Sequence, residues 1–130
     1  MWDTLGTADR AESVAVARRA AHELGPDAAQ VWLAAGLLHD VGKTEAGLGT
    51  FGRTGATVVA ALVSHGRARH FPNRIGAYVS HDDRGAARLE AAGARPETVA
   101  WASAHHRPER FAATGLPPEV AAILASADGE

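Results

Sequence analysis

The chain of 130 residues contains no cysteine, a single lysine and few aromatic side chains. Without cysteine it can form no disulfide bond, no thiolate zinc site and no cysteine nucleophile. Histidine, aspartate and glutamate therefore remain as its potential metal ligands. The scarcity of aromatic residues and the abundance of alanine favour close-packed helices over a sheet-based fold.

The sequence also lacks a long apolar run, a secretory signal and a large excess of either charge. Since no apolar stretch reaches the length of a membrane span, we expect a cytoplasmic protein without membrane association. The formal net charge of −2 gives no general attraction to nucleic acid or to anionic lipid. The length predicts one domain over residues 1–130, for which 46% apolar residues supply an ample core.

The most informative stretch is the apolar segment from Val31 to Val41, which includes His39 and Asp40 in its last turn. A helix that is apolar on nearly every face is buried. A buried carboxylate is costly unless it is paired, hydrogen-bonded or bound to a metal. The segment therefore predicts a cation, or an arginine or lysine partner, at the end of a helix. The alternative is an aspartate that reaches solvent beside a histidine that caps the last carbonyl groups.

The residue pattern predicts an all-α fold, a compact bundle of about six helices. The first helix is expected to begin with Asp9 as its N-cap and to end at Gly25. The second is expected to begin at Pro26 and to run through His39 and Asp40 to about residue 42. The inner face of the first helix is predicted to consist of Val14, Ala17, Ala21 and Leu24.

The later helices are predicted from their start and stop signals. Ser80 and Asp83 have the spacing of a capping box at one helix start. Residues 107–115 are predicted to form a loop. The predicted helices of this half span residues 57–63, 75–79, 80–92, 96–106 and 120–128.

Potential metal ligands occur at four separate places, most of them at predicted helix ends beside apolar runs. Their spacing is not a local metal motif, and any one of these histidines taken singly is more often a packed or solvent-facing residue. A bundle can nevertheless bring helix ends together. Imidazole and carboxylate ligands suit Mn, Fe, Zn, Ni, Co or Mg, with Fe or Mn natural for a two-metal centre. The four places are His39 with Asp40, His81, His105 with His106, and Asp128.

The most basic segment spans residues 65–74 and contains Arg67, Arg69 and Arg74. One interpretation is a solvated charged loop. The other is a lip that grips phosphate, because guanidinium groups match the geometry of phosphate oxygens. The sequence leaves both interpretations open.

Four short motifs follow one another along nearly the whole chain. They are Leu-Leu-His39-Asp40-Val-Gly-Lys43, His81-x-x-x-Gly85-Ala-x-x-Leu89, Ala-His105-His106-x-Pro108 and Ala-Asp128. Their content and order resemble the HD-domain superfamily of metal-dependent phosphohydrolases. The double-histidine motif also looks like that of the cyclic-dinucleotide-cleaving branch, but the Gly-Tyr-Pro signature of that branch is missing. We therefore do not expect cyclic-dinucleotide cleavage.

The resemblance implies an all-helical fold and one or two divalent cations per chain. His39, Asp40 and Asp128 would bind one cation, and Asp40 would bridge to a second cation held by His81 together with His105 or His106. Lys43 and Asp40 are the expected catalytic residues. The positive charges expected to neutralise a substrate phosphate are those of Lys43, Arg67, Arg69, Arg74 and Arg107.

The first helix departs from the family pattern. Members usually begin with a histidine four residues before a valine, and the matching position before Val16 is Glu12. A carboxylate can replace an imidazole on a hard or borderline cation, so Glu12 is a candidate metal ligand. The alternatives are a weakened or mononuclear centre, or a solvated Glu12 with no part in metal binding.

These observations favour hydrolysis of a phosphate ester in a nucleotide or another small phosphorylated metabolite by a metal-activated water. Glu12 and Asp82 are conceivable general bases. Two alternatives remain open: a di-iron oxygenase, which some relatives with such ligands are, and a non-catalytic module for ligand binding or interaction. A homodimer is also left open.

Overall fold

The computed structural model describes residues 2–45 and 80–129, which form helices and contain no β-strand. Three short 3₁₀ segments, Trp2–Thr4, Val41–Glu45 and Pro108–Ala113, accompany the α-helices. The prediction of an all-α fold is confirmed. The helices predicted at 57–63 and 75–79 lie outside the described residues. The α-helices are α1 (Thr7–Leu24), α2 (Gln30–Leu38), α3 (His81–Ala91), α4 (Pro96–Ala104) and α5 (Pro118–Asp128).

Helix α1 ends where the sequence predicts but begins earlier. Gly25 stops it with a φ of 77°, a left-handed conformation that glycine adopts without strain. At the other end, Gly6 precedes the helix and no side chain caps it, so the prediction of Asp9 as N-cap is wrong. Asp9 instead lies in the first turn, where its negative charge faces the positive end of the helix dipole.

Helix α2 is shorter than the predicted helix over residues 26–42. Pro26 and Asp27 form a turn, and the helix begins only at Gln30. It ends at Leu38, after which the Lys43 amide donates to the Asp40 carbonyl oxygen at 3.0 Å. This bond spans three residues and tightens the chain into a 3₁₀ segment. His39 and Asp40 therefore lie in the bend between two helical segments.

Two details of the second half also differ from the sequence predictions. The Ser80 side chain makes no cap at the start of α3; its hydroxyl accepts a hydrogen bond from Arg84 Nε at 3.1 Å. Ser80 is the N-cap residue of α3, as the sequence predicts, but the capping-box hydrogen bond of its side chain is not formed. The predicted loop after α4 contains the 3₁₀ helix Pro108–Ala113.

The buried stripe of α1 consists of Ser13, Val16 and Ala20. This corrects the predicted inner face, whose residues are only partly buried. Alanine and valine occupy most faces of α1, so its sequence period does not select one face. Val16 and Ala20 pack with Trp101 of α4 and with α5, and a second cluster around Leu89 joins α3 to α4. None of the helices in the two described ranges combines the length and the apolar character needed to cross a membrane.

Helix α3 meets the segment after α2 backbone to backbone. A Cβ atom added to Gly42 would lie 1.8 Å from the His81 carbonyl oxygen and 2.7 Å from the Gly85 amide nitrogen. A Cβ atom on Gly85 would lie 3.0 Å from the Gly42 nitrogen. This approach requires glycine at both positions, and it brings the segment after Asp40 against the first turn of α3.

Gly42→Ala is expected to push α3 away from the 41–45 segment, because the methyl group overlaps a backbone carbonyl that cannot rotate aside. We expect a loss of about 3 kcal/mol or more in the free energy of unfolding. Urea denaturation measures it, with Gly6→Ala as the control. Gly6 precedes α1, and the atom that a Cβ would meet there belongs to the Asp9 side chain, at 3.3 Å. Equal stability losses in the two variants would contradict the close approach.

Candidate metal centre

The ends of four helices meet at one buried cluster of histidines and aspartates. His81 is the first residue of α3 and Asp128 is the last residue of α5. His39 and Asp40 directly follow α2, and His105 and His106 directly follow α4. His39, Asp40, His81 and His105 are all buried, with exposed fractions between 1% and 7%. The cluster thus unites the four places that the sequence singles out.

The cluster contains two groups of side chains that could each hold a metal ion. The first comprises Asp40, His81, His105 and His106, with one ligand atom of each within 4.8 Å of the others. Within it, Asp40 Oδ1 lies 3.2 Å from His81 Nε2 and 3.8 Å from His105 Nε2. The second comprises His39, His105 and Asp128, in which His39 Nε2 lies 3.1 Å from Asp128 Oδ1.

Two imidazole rings are oriented as metal-binding histidines are. His39 Nδ1 donates to the Gly36 carbonyl oxygen at 2.7 Å, and His105 Nδ1 donates to the Ala102 carbonyl oxygen at 2.9 Å. Since a carbonyl oxygen can only accept, Nδ1 carries the proton in both rings and Nε2 points into the cluster. This arrangement of the outer nitrogen fixes the ring and its tautomer in many metal sites.

Acceptor atoms face one another inside the cluster. Asp40 Oδ1 and His105 Nε2 are buried and make no hydrogen bond. Two acceptors 3.8 Å apart repel each other unless a positive charge lies between them. Leaving both of them buried without a hydrogen bond is also costly. The donor set of imidazole nitrogens and carboxylate oxygens therefore fits a divalent cation.

The pKa values of the cluster show the same demand for positive charge. Burial opposes a charged imidazole, yet the hydrogen bonds to Asp128 and Asp40 prevail and raise the pKa of His39 to about 10. Burial and the neighbouring imidazoles lower the pKa of His105 to about 3. Although burial opposes it, the neighbouring His39 and His81 imidazoles and the charge of Lys43 hold the pKa of Asp40 well below its usual value. In the metal-free protein, the protonated imidazole of His39 thus supplies positive charge to the cluster.

Lys43 contributes a second positive charge at the edge of the cluster. Its Nζ donates to Asp40 Oδ2, whereas Oδ1 of the same carboxylate faces His81 and His105. The lysine therefore satisfies one Asp40 oxygen and leaves the other turned inward. The alternative in which Asp40 reaches solvent is wrong, because the residue is only 5% exposed.

Glu12 lies outside both ligand groups. Its side chain is 57% exposed and forms an ion pair with Arg19 at 2.8 Å. The inward-facing residue of this turn is Ser13, one position further along α1. The geometry therefore does not support Glu12 as a ligand. The sequence did not indicate Ser13, because the spacing to Val16 matches the family histidine to Glu12.

Arg107 connects the segment after the histidine pair to the start of α3. Its guanidinium group donates to Asp82 Oδ2 and, at 3.1 Å, to Asp83 Oδ1. Two carboxylates thus pair with the guanidinium charge that was predicted to face a substrate phosphate, and Asp82, the predicted general base, is engaged in an ion pair. No spacing rule relates residues 82 and 107, so the sequence gives no signal of this pair. Arg67, Arg69 and Arg74, the other predicted phosphate contacts, lie outside the described residues.

Arg107→Ala is expected to lower the free energy of unfolding by about 3 kcal/mol, because it removes a guanidinium group that pairs with the buried Asp82 carboxylate. Urea denaturation measures the loss, and Arg110→Ala serves as the control because Arg110 is exposed on the adjacent 3₁₀ helix. Adding Asp82→Asn to Arg107→Ala should recover part of the stability. If the double variant recovers no stability, or if Arg107→Ala and Arg110→Ala lose equal stability, the importance of the ion pair between Arg107 and Asp82 is contradicted.

The stability of the metal-free protein should peak near pH 6.5. From 6.5 to about 10 the folded state keeps the His39 proton that the unfolded chain releases, so the free energy of unfolding falls as pH rises. From pH 6.5 down to about pH 3, His105 binds a proton in the unfolded chain but not in the folded protein. The free energy of unfolding therefore falls as the pH is lowered. Urea denaturation in chelator across this pH range tests both slopes.

His39→Gln should remove the alkaline slope, whereas His22→Gln should keep it, because His22 is an exposed residue of α1. A wild-type protein whose stability is constant between pH 7 and 9.5 would contradict the proton assigned to His39.

A scan of the chain against protein-family models matched the HD domain over residues 10–129. Neither the search of curated proteins nor the search of solved structures returned a match. The matched range contains helices α2 to α5, all of α1 except its first three residues, and every member of the histidine and aspartate cluster. The chain therefore belongs to the HD-domain superfamily, whose members are generally metal-dependent phosphohydrolases.

Proposed function

We propose that this protein hydrolyses a phosphate ester of a nucleotide or another small phosphorylated metabolite at a divalent metal centre formed by its histidine and aspartate cluster. The observation that carries the proposal is the buried pair of acceptors, Asp40 Oδ1 and His105 Nε2, which make no hydrogen bond. His39 Nε2 faces Asp128 Oδ1 and Asp40 Oδ2, so a proton on it makes no hydrogen bond to this pair. Fe and Mn suit the mixed imidazole and carboxylate donors best.

The two ligand groups support a centre for two cations. His105 belongs to both groups. Asp40 also faces both, since its Oδ1 lies 3.2 Å from His81 Nε2 and its Oδ2 lies 3.4 Å from His39 Nε2. We therefore assign Asp40 and His105 to the boundary between the two positions, with His81 and His106 on one side and His39 and Asp128 on the other.

The proposed reaction needs a nucleophile and positive charge opposite the phosphoryl oxygens. A bound divalent cation supplies the Lewis acid that lowers the pKa of a water molecule to near neutrality. The chain supplies the remaining charge through Lys43, whose side chain is 20% exposed and contacts Asp40. His106 is exposed, unlike the other histidines of the cluster. The side near Lys43 and His106 is therefore the side from which we expect a phosphoryl group to enter.

The same ligand types also occur in di-iron oxygenases, so the test must separate hydrolysis from oxidation. The protein is purified anaerobically, its metal content is measured, and it is assayed with a panel of phosphomonoesters and nucleotides. We expect one or two equivalents of Fe or Mn and release of inorganic phosphate without consumption of O₂. Consumption of O₂ by an iron-loaded protein without phosphate release would support the oxygenase instead.

Asp40→Asn is expected to lower both metal affinity and phosphate release by at least about 100-fold, which is the upper end of the losses caused by altering outer-shell partners. Glu23→Gln is the control, because Glu23 is an exposed carboxylate of α1 outside both ligand groups. If neither Fe nor Mn binds the wild type, or if Asp40→Asn retains full metal affinity and activity, the proposed centre is wrong.

A further inference from the structure

Ser13 is a buried hydroxyl of α1 to which neither the family pattern nor the ligand groups assign a role. The residue is 1% exposed, and its Oγ makes no hydrogen bond to the protein. A serine in a helix usually bonds to a carbonyl of the preceding turn or points to solvent. Ser13 does neither, so its burial without a partner calls for a ligand that provides one.

Contacts one turn away locate Ser13 within the bundle. A Cβ atom added to Gly36 of α2 would lie 3.1 Å from Leu124 Cδ2 of α5 and 3.9 Å from Val16 Cγ1 of α1. Gly36, Leu124 and Val16 therefore mark the level at which the three helices touch. Ser13 and Val16 are on the same buried stripe of α1.

The next turn of each helix leads to the metal centre. His39 lies three residues beyond Gly36, and Asp128 lies four residues beyond Leu124; their side chains meet at 3.1 Å. Helix α1 runs opposite to α2 because only residues 25–29 connect them, so its next turn in that direction is the one before Val16. That turn contains Ser13.

A separate contact holds this end of α1 against the end of α5. Arg19 Nε donates to the Ala127 carbonyl oxygen at 2.7 Å, and Arg19 Nη2 pairs with Glu12 Oε1 at 2.8 Å. The ion pair reaches back along α1 toward Ser13, while Ala127 is the neighbour of Asp128. The two contacts agree with the helix directions and set Ser13 at the level of His39 and Asp128.

We infer that the Ser13 hydroxyl is a substrate-binding group that donates a hydrogen bond to a phosphoryl oxygen held at the metal centre. The inference rests on the proposed phosphohydrolase function. A neutral hydroxyl is a weak metal ligand compared with the imidazoles and carboxylates nearby, but it is a good donor to an anionic oxygen. Helix α1 thus contributes a hydrogen-bond donor, the Ser13 hydroxyl, to this site. Glu12 is turned outward and paired with Arg19.

The test measures inorganic phosphate binding to the Mn-loaded full chain by isothermal titration calorimetry. Ser13→Ala removes the hydroxyl without adding volume, so the fold should be retained, and thermal denaturation checks this. Ser103→Ala is the matched control, because the Ser103 hydroxyl already donates to the Ala100 carbonyl oxygen at 3.0 Å. We expect Ser13→Ala to weaken phosphate binding about 10-fold or more, as for a lost hydrogen bond to a charged group. Mn affinity and the control should remain within about 2-fold of wild type, since neither change removes a metal ligand.

The outcomes separate this inference from the function on which it rests. If wild type and Ser13→Ala bind phosphate equally, the role of Ser13 is wrong while the phosphohydrolase proposal stands. If Ser13→Ala loses Mn together with phosphate, the hydroxyl serves the metal and its role as a phosphate donor is wrong. If Mn-loaded wild type binds no phosphate, the proposed function fails and the role of Ser13 fails with it.

Discussion

The structure depends on the burial of the Asp40 carboxylate among imidazole nitrogens. A carboxylate that is 5% exposed must be balanced by positive charge, and Lys43 reaches only one of its oxygens. The other oxygen faces two histidine nitrogens, one of which is fixed as an acceptor by a bond from its ring to a backbone carbonyl. Repulsion among these acceptors makes the cluster unfavourable unless positive charge lies close to them.

The surrounding fold brings the acceptors together by constraints that lie outside the cluster. Gly42 and Gly85 allow the backbones of the 41–45 segment and α3 to touch, so that His81 lies beside Asp40. Arg107 joins the histidine pair of α4 to the first turn of α3 through two carboxylates. Helix packing then supplies the energy that offsets the repulsion, because Trp101 and Leu124 are almost fully buried close to the residues that end α4 and α5. The centre is thus preorganised by packing, which is what a cation site needs if binding is to be tight.

The helical class could be predicted from the composition of the chain, and the residues that the structure brings together stand out in the sequence because their chemistry is unusual for their positions. His39 and Asp40 end an apolar run, His105 directly follows an apolar helix and Asp128 ends another, so each stands out against its neighbours. The inner face of α1 could not be predicted, since alanine and valine surround that helix and any stripe looks apolar. The one-residue difference between Glu12 and Ser13 decides which side chain enters the bundle, and it is set by contacts with α2 and α5. The partners of Arg107 were equally hidden, because a contact between residues 82 and 107 exists only in three dimensions.

We propose that a divalent cation lies between the buried acceptors of Asp40 and His105. Anomalous X-ray diffraction from crystals of the Mn-loaded protein tests it most directly. We expect an anomalous peak at about 2.0–2.3 Å from Asp40 Oδ1 and His105 Nε2, the range of metal bonds to oxygen and nitrogen. A well-ordered cluster with no peak between these atoms, while manganese is bound elsewhere on the chain, would contradict it.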